Sequence, residues 1–352
     1  METVLQGFKD RIIAAKADGC ALRIVGSGSK DWYGNRLQGE PLETRAYSGI
    51  VSYEPTELVI TARGGTPMTE IDAALSEHNQ MLAFESPHFG PGATMGGMVA
   101  SGLSGPRRQA VGAVRDFVLG AVLMNGKGNL LHFGGQVMKN VAGYDVSRLL
   151  TGAMGTLGLL LEVSIKVLPR PIAETTLRLQ LDQANAIRQL NEWGGQPLPI
   201  SASAWQDGLL LLRLSGAAAA VNAAKKKLGG EEIGAAGNIW VDLREQRSEF
   251  FSDALPLWRL SVPSVTRAMD LPGKQLIEWG GAQRWLKSNA SPSEIRAAAA
   301  QAGGHATLFR GGDKQVGVFH PLAPALATLH KNLKNAFDPA RIFNPGRLYA
   351  DM

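Results

Sequence analysis

Cysteine is nearly absent from this sequence: Cys20 stands alone among 352 residues. An internal disulfide is therefore excluded, as is an iron–sulfur cluster held by this chain's own thiolates. Apolar neighbours predict that Cys20 is an inert buried thiol. Long apolar runs are missing too. The uncharged stretch from Gly90 to Pro106 is too rich in glycine to read as a membrane span. The opening Met1-Glu2-Thr3-Val4 lacks a basic region and a long apolar run, which predicts no signal peptide and a cytoplasmic protein. No Lys/Arg block reaches the density of a nucleic-acid surface. The longest run, Lys225-Lys226-Lys227, reads as the solvated end of a helix in a chain of formal net charge +5. Histidine is scarce and scattered. His78, His88, His132, His305, His320 and His330 form no pair at metal-ligand spacing, and none lies before residue 78. Each reads as a satisfied surface or core histidine, so no metal site is expected.

Glycine is what the chain has in excess: 42 residues, mostly before residue 160. The densest stretch runs from Gly92 through Thr94, Gly96, Gly97, Ser101 and Gly102 to Pro106, flanked by Pro87 and Pro91. A packed helix is not expected there, because each glycine costs about 1 kcal/mol relative to alanine in a helix. Two readings remain open from this stretch alone. One is a wall lying against a large flat ligand; the other is tight packing of small-residue turns.

A second glycine cluster follows a short strand. Ala21 to Val25 runs straight into Gly26-Ser27-Gly28-Ser29-Lys30, which would present several backbone N–H groups in one concavity, as a pyrophosphate requires. It is neither a Rossmann fingerprint, because Asp31 stands where the third glycine belongs, nor a Walker A loop. A plain glycine turn is the competing reading. Helical spacing predicts helices at 3–18, 67–78 (N-cap Thr66, Pro67 at the first position), 183–193, 216–228, 292–302 and 322–336. Strands are expected at 48–53, 58–62, 117–124 and 129–133, with Asn125-Gly126 as a hairpin turn. Further strands are expected at 159–168, 173–181, 200–206, 209–214, 258–262, 274–279 and 305–319. Pro169 and Pro171 place a boundary near 171. The strand–helix pattern beyond it predicts an α+β domain with helices on one face of an antiparallel sheet.

Taken together, the loop at 26–30, the glycine wall and Gly155-Thr156-Leu157-Gly158 before a strand resemble the FAD-binding fold of the vanillyl-alcohol oxidase (PCMH) type, over roughly residues 1–171. Three longer strings narrow this: Ser101 to Arg108, Gly134 to Asp145, and Phe343-Asn344-Pro345-Gly346-Arg347-Leu348-Tyr349. They resemble the FAD-binding subunits of glycolate oxidase (glycolate dehydrogenase) and extend the likeness over nearly the whole chain. The resemblance implies an α+β fold: a two-part FAD-binding domain at 1–171, an α+β cap domain at 172–335, and a segment at 336–352 that returns to the FAD domain.

The same resemblance implies site roles. Gly26, Ser27, Gly28, Ser29 and Lys30 would wrap the FAD pyrophosphate. Pro87, Gly92, Thr94, Gly96, Gly97, Ser101 and Gly102 would line the pyrophosphate and the flavin ring. Gly155 and Gly158 would lie near the adenosine half, and Lys139 and Asn344 at the pyrimidine edge; a surface ion pair is the alternative for Lys139. FAD would be non-covalent, since no histidine lies near the loop and His88 is a poor link. The implied partners are a larger flavin subunit and an iron–sulfur subunit, in a complex that oxidises glycolate and D-lactate and passes electrons to a non-nicotinamide acceptor. Any contact with the cytoplasmic face of the inner membrane would run through them. The related D-2-hydroxy-acid dehydrogenases carry a histidine-rich metal-binding stretch, and the nearest counterpart, Gly303 to Asp313, has His305 alone. That departure assigns substrate oxidation to the larger partner and leaves this flavin as a relay or support. Two rivals stand beside this reading. One is a self-sufficient flavoenzyme clamping its substrate carboxylate with Arg107, Arg108, Arg310 and Lys139. The other is a non-enzymatic assembly subunit with a vestigial pocket.

Overall fold

The computed structural model describes every residue except 136–144 and 235–236. The chain divides into two compact units. Unit 1 comprises Met1–Leu103, Ala113–Pro169 and Pro321–Met352; unit 2 comprises Ser104–Gly112 and Arg170–His320. The chain first leaves unit 1 after Leu103 and leaves it again after Pro169. The return comes at Pro321 rather than 336, so the last helix belongs to unit 1, and a nine-residue excursion after the glycine wall belongs to unit 2.

Unit 1 opens with α1 (Glu2–Asp18), β1 (Leu22–Val25) and β2 (Glu40–Glu43). Phe8, Ile12 and Ala15 form the buried stripe of α1, and Gly19 ends it with a left-handed cap. The strands β1 and β2 pair in parallel. Next come β3 (Ile50–Glu54), β4 (Val59–Arg63), α2 (Met68–Glu77), β5 (Gln80–Met81) and α3 (Met95–Ser101). Two single turns, α4 (Arg108–Val111, in unit 2) and α5 (Val114–Phe117), precede the hairpin of β6 (Val118–Met124) and β7 (Leu130–Gly134). After α6 (Val146–Leu149), β8 (Leu159–Lys166) enters the middle of an antiparallel sheet ordered β3-β4-β8-β6-β7, and β9 (Leu168–Pro169) pairs with β5. Five of the eight residues of β8 are apolar and six are buried, which suits a strand with neighbours on both sides and cover on both faces. One core cluster joins Phe8 and Ile12 of α1, Leu22, Leu42, Leu159, Leu161 and Phe343.

Three local expectations need correction. Thr66 does not cap α2; Pro67 occupies the cap position, and the Thr66 hydroxyl bonds the Gly49 N–H and carbonyl instead. The Asn125-Gly126 signal becomes a wider loop. Asn125 Oδ1 accepts from the Lys127 and Asn129 N–H groups at 3.0 Å each, and Gly128 supplies a left-handed residue. Cys20 is exposed, because it directly follows the helix cap at the surface.

Unit 2 holds an eight-stranded sheet. Its strands are β10 (Ala173–Gln180), β11 (Ile200–Gln206), β12 (Leu209–Gly216), β13 (Glu231–Ile233), β14 (Leu257–Ser261), β15 (Lys274–Glu278), β16 (Gln283–Lys287) and β17 (His305–Arg310). They are ordered β13-β10-β12-β11-β15-β16-β14-β17, every neighbour antiparallel. The expected strand at 305–319 stops at Arg310, where Gly311 and Gly312 both turn left-handed. Helices α7 (Gln183–Gly194) and α8 (Ala218–Leu228) cover Leu210, Leu212 and Leu214. Helix α10 (Pro292–Gln301) covers Trp258, Leu260, Leu286, Ala306 and Leu308. Alternation along the strands sends the intervening residues to the opposite face. There α9 (Gly237–Arg244) packs with Trp240 Nε1 donating to Thr176 Oγ1 at 2.9 Å. The last helix, α11 (Pro324–Phe337), returns to unit 1. Unit 2 is α+β with an antiparallel sheet, as the sequence pattern predicts, but its helices are not all on one face: α9 lies on the face opposite α7, α8 and α10.

Candidate cofactor cleft

Unit 1 contains a cleft of about 800 Å³, counting the part open to solvent. The loop after β1 forms one wall: Gly26, Ser27, Gly28, Ser29 and Lys30 all line it. Gly96, Gly97, Ala100 and Ser101 of α3 line another, with Thr94 at its start. Gly155, Gly158, Leu159 and Leu160 bring in the entry to β8, and Asn344 and Arg347 come from the C-terminal segment. Twelve of the sixteen residues singled out from the sequence therefore line one cavity. Pro87, Gly92 and Gly102 do not line it, and Lys139 lies outside the described residues. Gly92 sits beside the loop, where a Cβ would stand 3.1 Å from Ser27 Cβ, and Gly102 ends α3 in the left-handed conformation. Pro87 lies in the segment tied to the loop by Lys30 Nζ, which donates to the His88 carbonyl at 3.2 Å.

The wall is helical after all, over Met95–Ser101. Its glycines are tolerated because packing, not propensity, holds it. Thr94 caps it, accepting from the Gly97 N–H at 3.3 Å, and Met95, Met98 and Val99 are buried. Close approach explains two of the glycines. A Cβ on Gly96 would meet the Gly64 carbonyl oxygen at 2.9 Å, and one on Gly26 would meet Thr94 Oγ1 at 2.4 Å. The small-residue packing reading is thus satisfied here, and the same packing leaves a wall without bulky side chains.

Backbone donors distinguish the two sides. The first N–H groups of α3 are already used: Met95 donates to the Thr66 carbonyl and Gly96 to the Gly64 carbonyl. Across the cleft, the N–H groups of Gly26, Ser27 and Gly28 have no hydrogen-bond partner among the described residues. Adjacent unpaired backbone donors in a concave loop suit a phosphate or pyrophosphate, and the small apolar lining beside them suits a flat ring. The residues present therefore fit a dinucleotide such as FAD.

The C-terminal segment holds the cleft together. Asn344 Oδ1 accepts from the Ile24 N–H at 2.8 Å and its Nδ2 donates to the Met154 carbonyl at 2.6 Å. The amide is thus spent on bracing β1 against the turn before Gly155. Arg347 is buried, donates to the carbonyls of Lys30, Asp31 and Asn35, and has its pKa pushed down to about 10 by burial. Arg347 was not singled out as a site residue, although it stands in the string Phe343 to Tyr349. The role of Gly64 as the close-packed floor under Gly96 leaves no sequence signal beyond the Gly64-Gly65 pair.

Residues 8–134 match the FAD binding domain family. The chain is 52% identical to the glycolate oxidase subunit GlcE of Escherichia coli (strain K12) over 347 residues, which is 99% of this chain and 98% of that one. It is 35% identical over 96 residues to the glycolate oxidase subunit GlcD of Bacillus subtilis (strain 168), covering 27% of this chain and 20% of that protein. Among solved structures, an alkyldihydroxyacetonephosphate synthase superposes with a TM-score of 0.66 over 97% of this chain and 75% of its own, at 14% identity. With half its residues shared from end to end, the chain belongs to the family of glycolate oxidase GlcE subunits, which is built on an FAD binding domain.

Proposed function

We propose that this chain binds FAD without a covalent link and serves as one subunit of a complex that oxidises glycolate, and D-lactate, to the α-keto acid. The 52% identity to a glycolate oxidase subunit over 99% of the chain carries this reading. Bound FAD supplies the electron-accepting ring, and the protein supplies position and electrostatics. Gly26, Ser27 and Gly28 would donate to the pyrophosphate, with Ser29 and Lys30 shaping the loop. Gly96, Gly97 and Ser101 would face the ring as a flat wall, with Pro87, Gly92, Thr94 and Gly102 fixing its course. Gly155 and Gly158 would border the adenosine half. Lys139 would meet the pyrimidine edge, and Asn344 would support the cleft through Ile24 and Met154. Non-covalent binding is supported by the lining, which includes no histidine or cysteine among the described residues, while His88 pairs with Asp72 at 3.6 Å.

Electrons pass onward to a non-nicotinamide acceptor through partners. These are a larger flavin subunit of the GlcD kind, where the hydroxy acid is oxidised, and an iron–sulfur subunit, since one exposed cysteine cannot ligate a cluster. No helix among the described residues is long and apolar enough to cross a membrane. Placement in the cytoplasm, with membrane contact through partners, is part of the proposal.

The test is the visible spectrum of the purified chain, then acid precipitation, then anaerobic glycolate. A flavin released into the acid supernatant is the expected result. A flavin that stays oxidised until the larger subunit is added supports the division of labour. Bleaching by glycolate with this chain alone overturns it, and a chain that takes up no FAD even after soaking is an assembly subunit only.

A further inference from the structure

The two large sheets end in four outer strands, and three of them are closed to further pairing. In β3 the register shifts between Ile50 and Ser52, and the strand ends in Glu54. Strand β13 has only three residues, two of them Glu231 and Glu232. Along β17 the Leu308 N–H is taken by the Val318 carbonyl at 2.9 Å. Bulges, charge, brevity and cover are the usual means of blocking an edge. The fourth strand, β7, runs Leu130-Leu131-His132-Phe133-Gly134 and has none of them. No strand lies outside it among the described residues.

The ladder fixes which groups face outward. The Asn125 N–H donates to the Asn129 carbonyl at 3.1 Å, and the Gly135 N–H to the Leu119 carbonyl at 3.3 Å. Hydrogen-bonded pairs alternate along an antiparallel ladder, so Leu131 and Phe133 bond to β6. Leu130 and His132 therefore turn their N–H and carbonyl groups to the open edge, where neither residue has a hydrogen-bond partner among the described residues. Gly134, left-handed at φ 67°, ends the strand.

The side chains beside this edge carry charge of one sign. Leu130 and His132 stand opposite Met124 and Val122, which pack with Phe8 and Ile12, so they share the face that α1 covers. At the rim of that face a Cβ on Gly128 would stand 3.2 Å from Lys9 Cγ and 3.6 Å from Ile13 Cγ1. Ile13 and Leu130 are 47% and 48% exposed. Lys9, Lys16 and Lys127 are exposed and have no ion pair among the described residues. The one acid between Lys9 and Lys16 on α1, Asp10, accepts from Gln6 Nε2 at 2.7 Å. On the opposite face of the sheet, the Phe133 ring lies 6.1 Å from Phe337 of α11.

We propose that the outer edge of β7 receives an extended segment of a partner subunit in which acidic and apolar side chains alternate. Its backbone completes the hydrogen bonds of Leu130 and His132, as in strand addition to a sheet edge. Alternation sends its acidic side chains toward the three lysines and its apolar ones toward Phe133 and Phe337. A strand edge needs donors and acceptors in turn, which a polypeptide supplies and an anionic membrane does not. That the occupant is a subunit of the same complex rests on the reading above; the open edge and its lysines do not.

The experiment is hydrogen exchange followed at single amides, on the full chain alone and co-purified with the larger flavin subunit and the iron–sulfur subunit. The Leu130 and His132 amides are expected to exchange freely in the isolated chain and roughly tenfold or more slowly in the complex. His132→Pro removes an outward donor without touching the ladder to β6. It should abolish co-purification and leave the FAD content and melting temperature of the isolated chain unchanged. Lys9→Glu combined with Lys127→Glu should weaken assembly about tenfold or more, most strongly at low salt. Unprotected amides in the complex, or undisturbed co-purification of both variants, overturns the proposal. Protection that appears in the isolated chain as it dimerises, or on vesicles of phosphatidylserine and phosphatidylcholine, also overturns it, because the edge then serves a second copy or a lipid surface. A wild-type chain that co-purifies with neither subunit refutes the subunit reading alone. A blocked pentapeptide alternating glutamate and valine then decides for the edge. It should protect the same two amides where its lysine counterpart does not, and no protection by it overturns the proposal.

Discussion

Asn344 carries more structural weight than its size suggests. It is 8% exposed and adopts φ 41°, a conformation asparagine tolerates better than most side-chain-bearing residues. One amide joins two backbone segments that border the cleft, through the Ile24 N–H and the Met154 carbonyl. Replacing it with alanine strands one buried donor and one acceptor, each costing roughly 1–3 kcal/mol. We expect Asn344→Ala to destabilise unit 1 by about 2–4 kcal/mol, read as a lower urea midpoint at unchanged slope. FAD content should fall with it, because β1 leads directly into the loop at 26–28. Gly96→Ala tests the opposite wall. The new methyl group meets backbone rather than a flexible side chain, so α3 must move. The expected cost is about 1–3 kcal/mol, and added FAD should recover little of it.

At the scale of elements, α11 is fastened by a pair that periodicity does not reveal. Lys334 and Asp338 are both fully buried, four residues apart. The Lys334 ammonium spends its three hydrogens on Asp338 Oδ2 at 2.8 Å and on the Thr156 and Phe343 carbonyls, each at 2.7 Å. Asp338 also accepts from the Ile342 and Phe343 N–H groups. Burial pushes the Lys334 pKa down, and Asp338 opposes that. Lys334→Met leaves a buried carboxylate uncompensated and is expected to cost about 3–5 kcal/mol in thermal or urea unfolding. Adding Asp338→Asn should restore part of it. A sequence reading finds the helix, because Leu and Ala recur at helical spacing, but it reads Lys334 as one more solvated cation. The same limit applied to the cleft. Gly26 to Lys30, Gly155 and Asn344 were legible because glycine clusters and a long terminal string mark them. The helical wall was not, since glycine propensity argues locally against what Thr94, Gly64 and three buried apolar side chains impose from outside. His305 and His320, whose rings lie 6.5 Å apart, were invisible as a pair because fourteen residues separate them in the chain and only the edge of β17 brings them together.

The whole molecule unfolds in a way its chain path dictates. Both chain ends lie in unit 1, and nearly all of unit 2 is one insertion between Pro169 and Pro321. Each unit has its own buried clusters, those of unit 1 around α1 and β8 and those of unit 2 under α7, α8 and α10. Separate cores predict separable transitions. A ligand that binds only the folded form stabilises by about 2.7 kcal/mol at a hundredfold excess over its dissociation constant. FAD should therefore raise the unit 1 transition in scanning calorimetry and leave the unit 2 transition in place. Acid should act on the other unit. His305 and His320 have lowered pKa values in the fold, so the unfolded chain binds protons more readily than the native one. Stability of unit 2 is then highest above the unfolded histidine value and falls as pH drops through it, reaching its floor below the folded values. The expected pattern from pH 7.5 to 5 is a descending unit 2 transition, flattened in the double variant His305→Gln and His320→Gln. A unit 2 transition that ignores pH would mean that the two imidazoles meet solvent alike in the folded and unfolded chain.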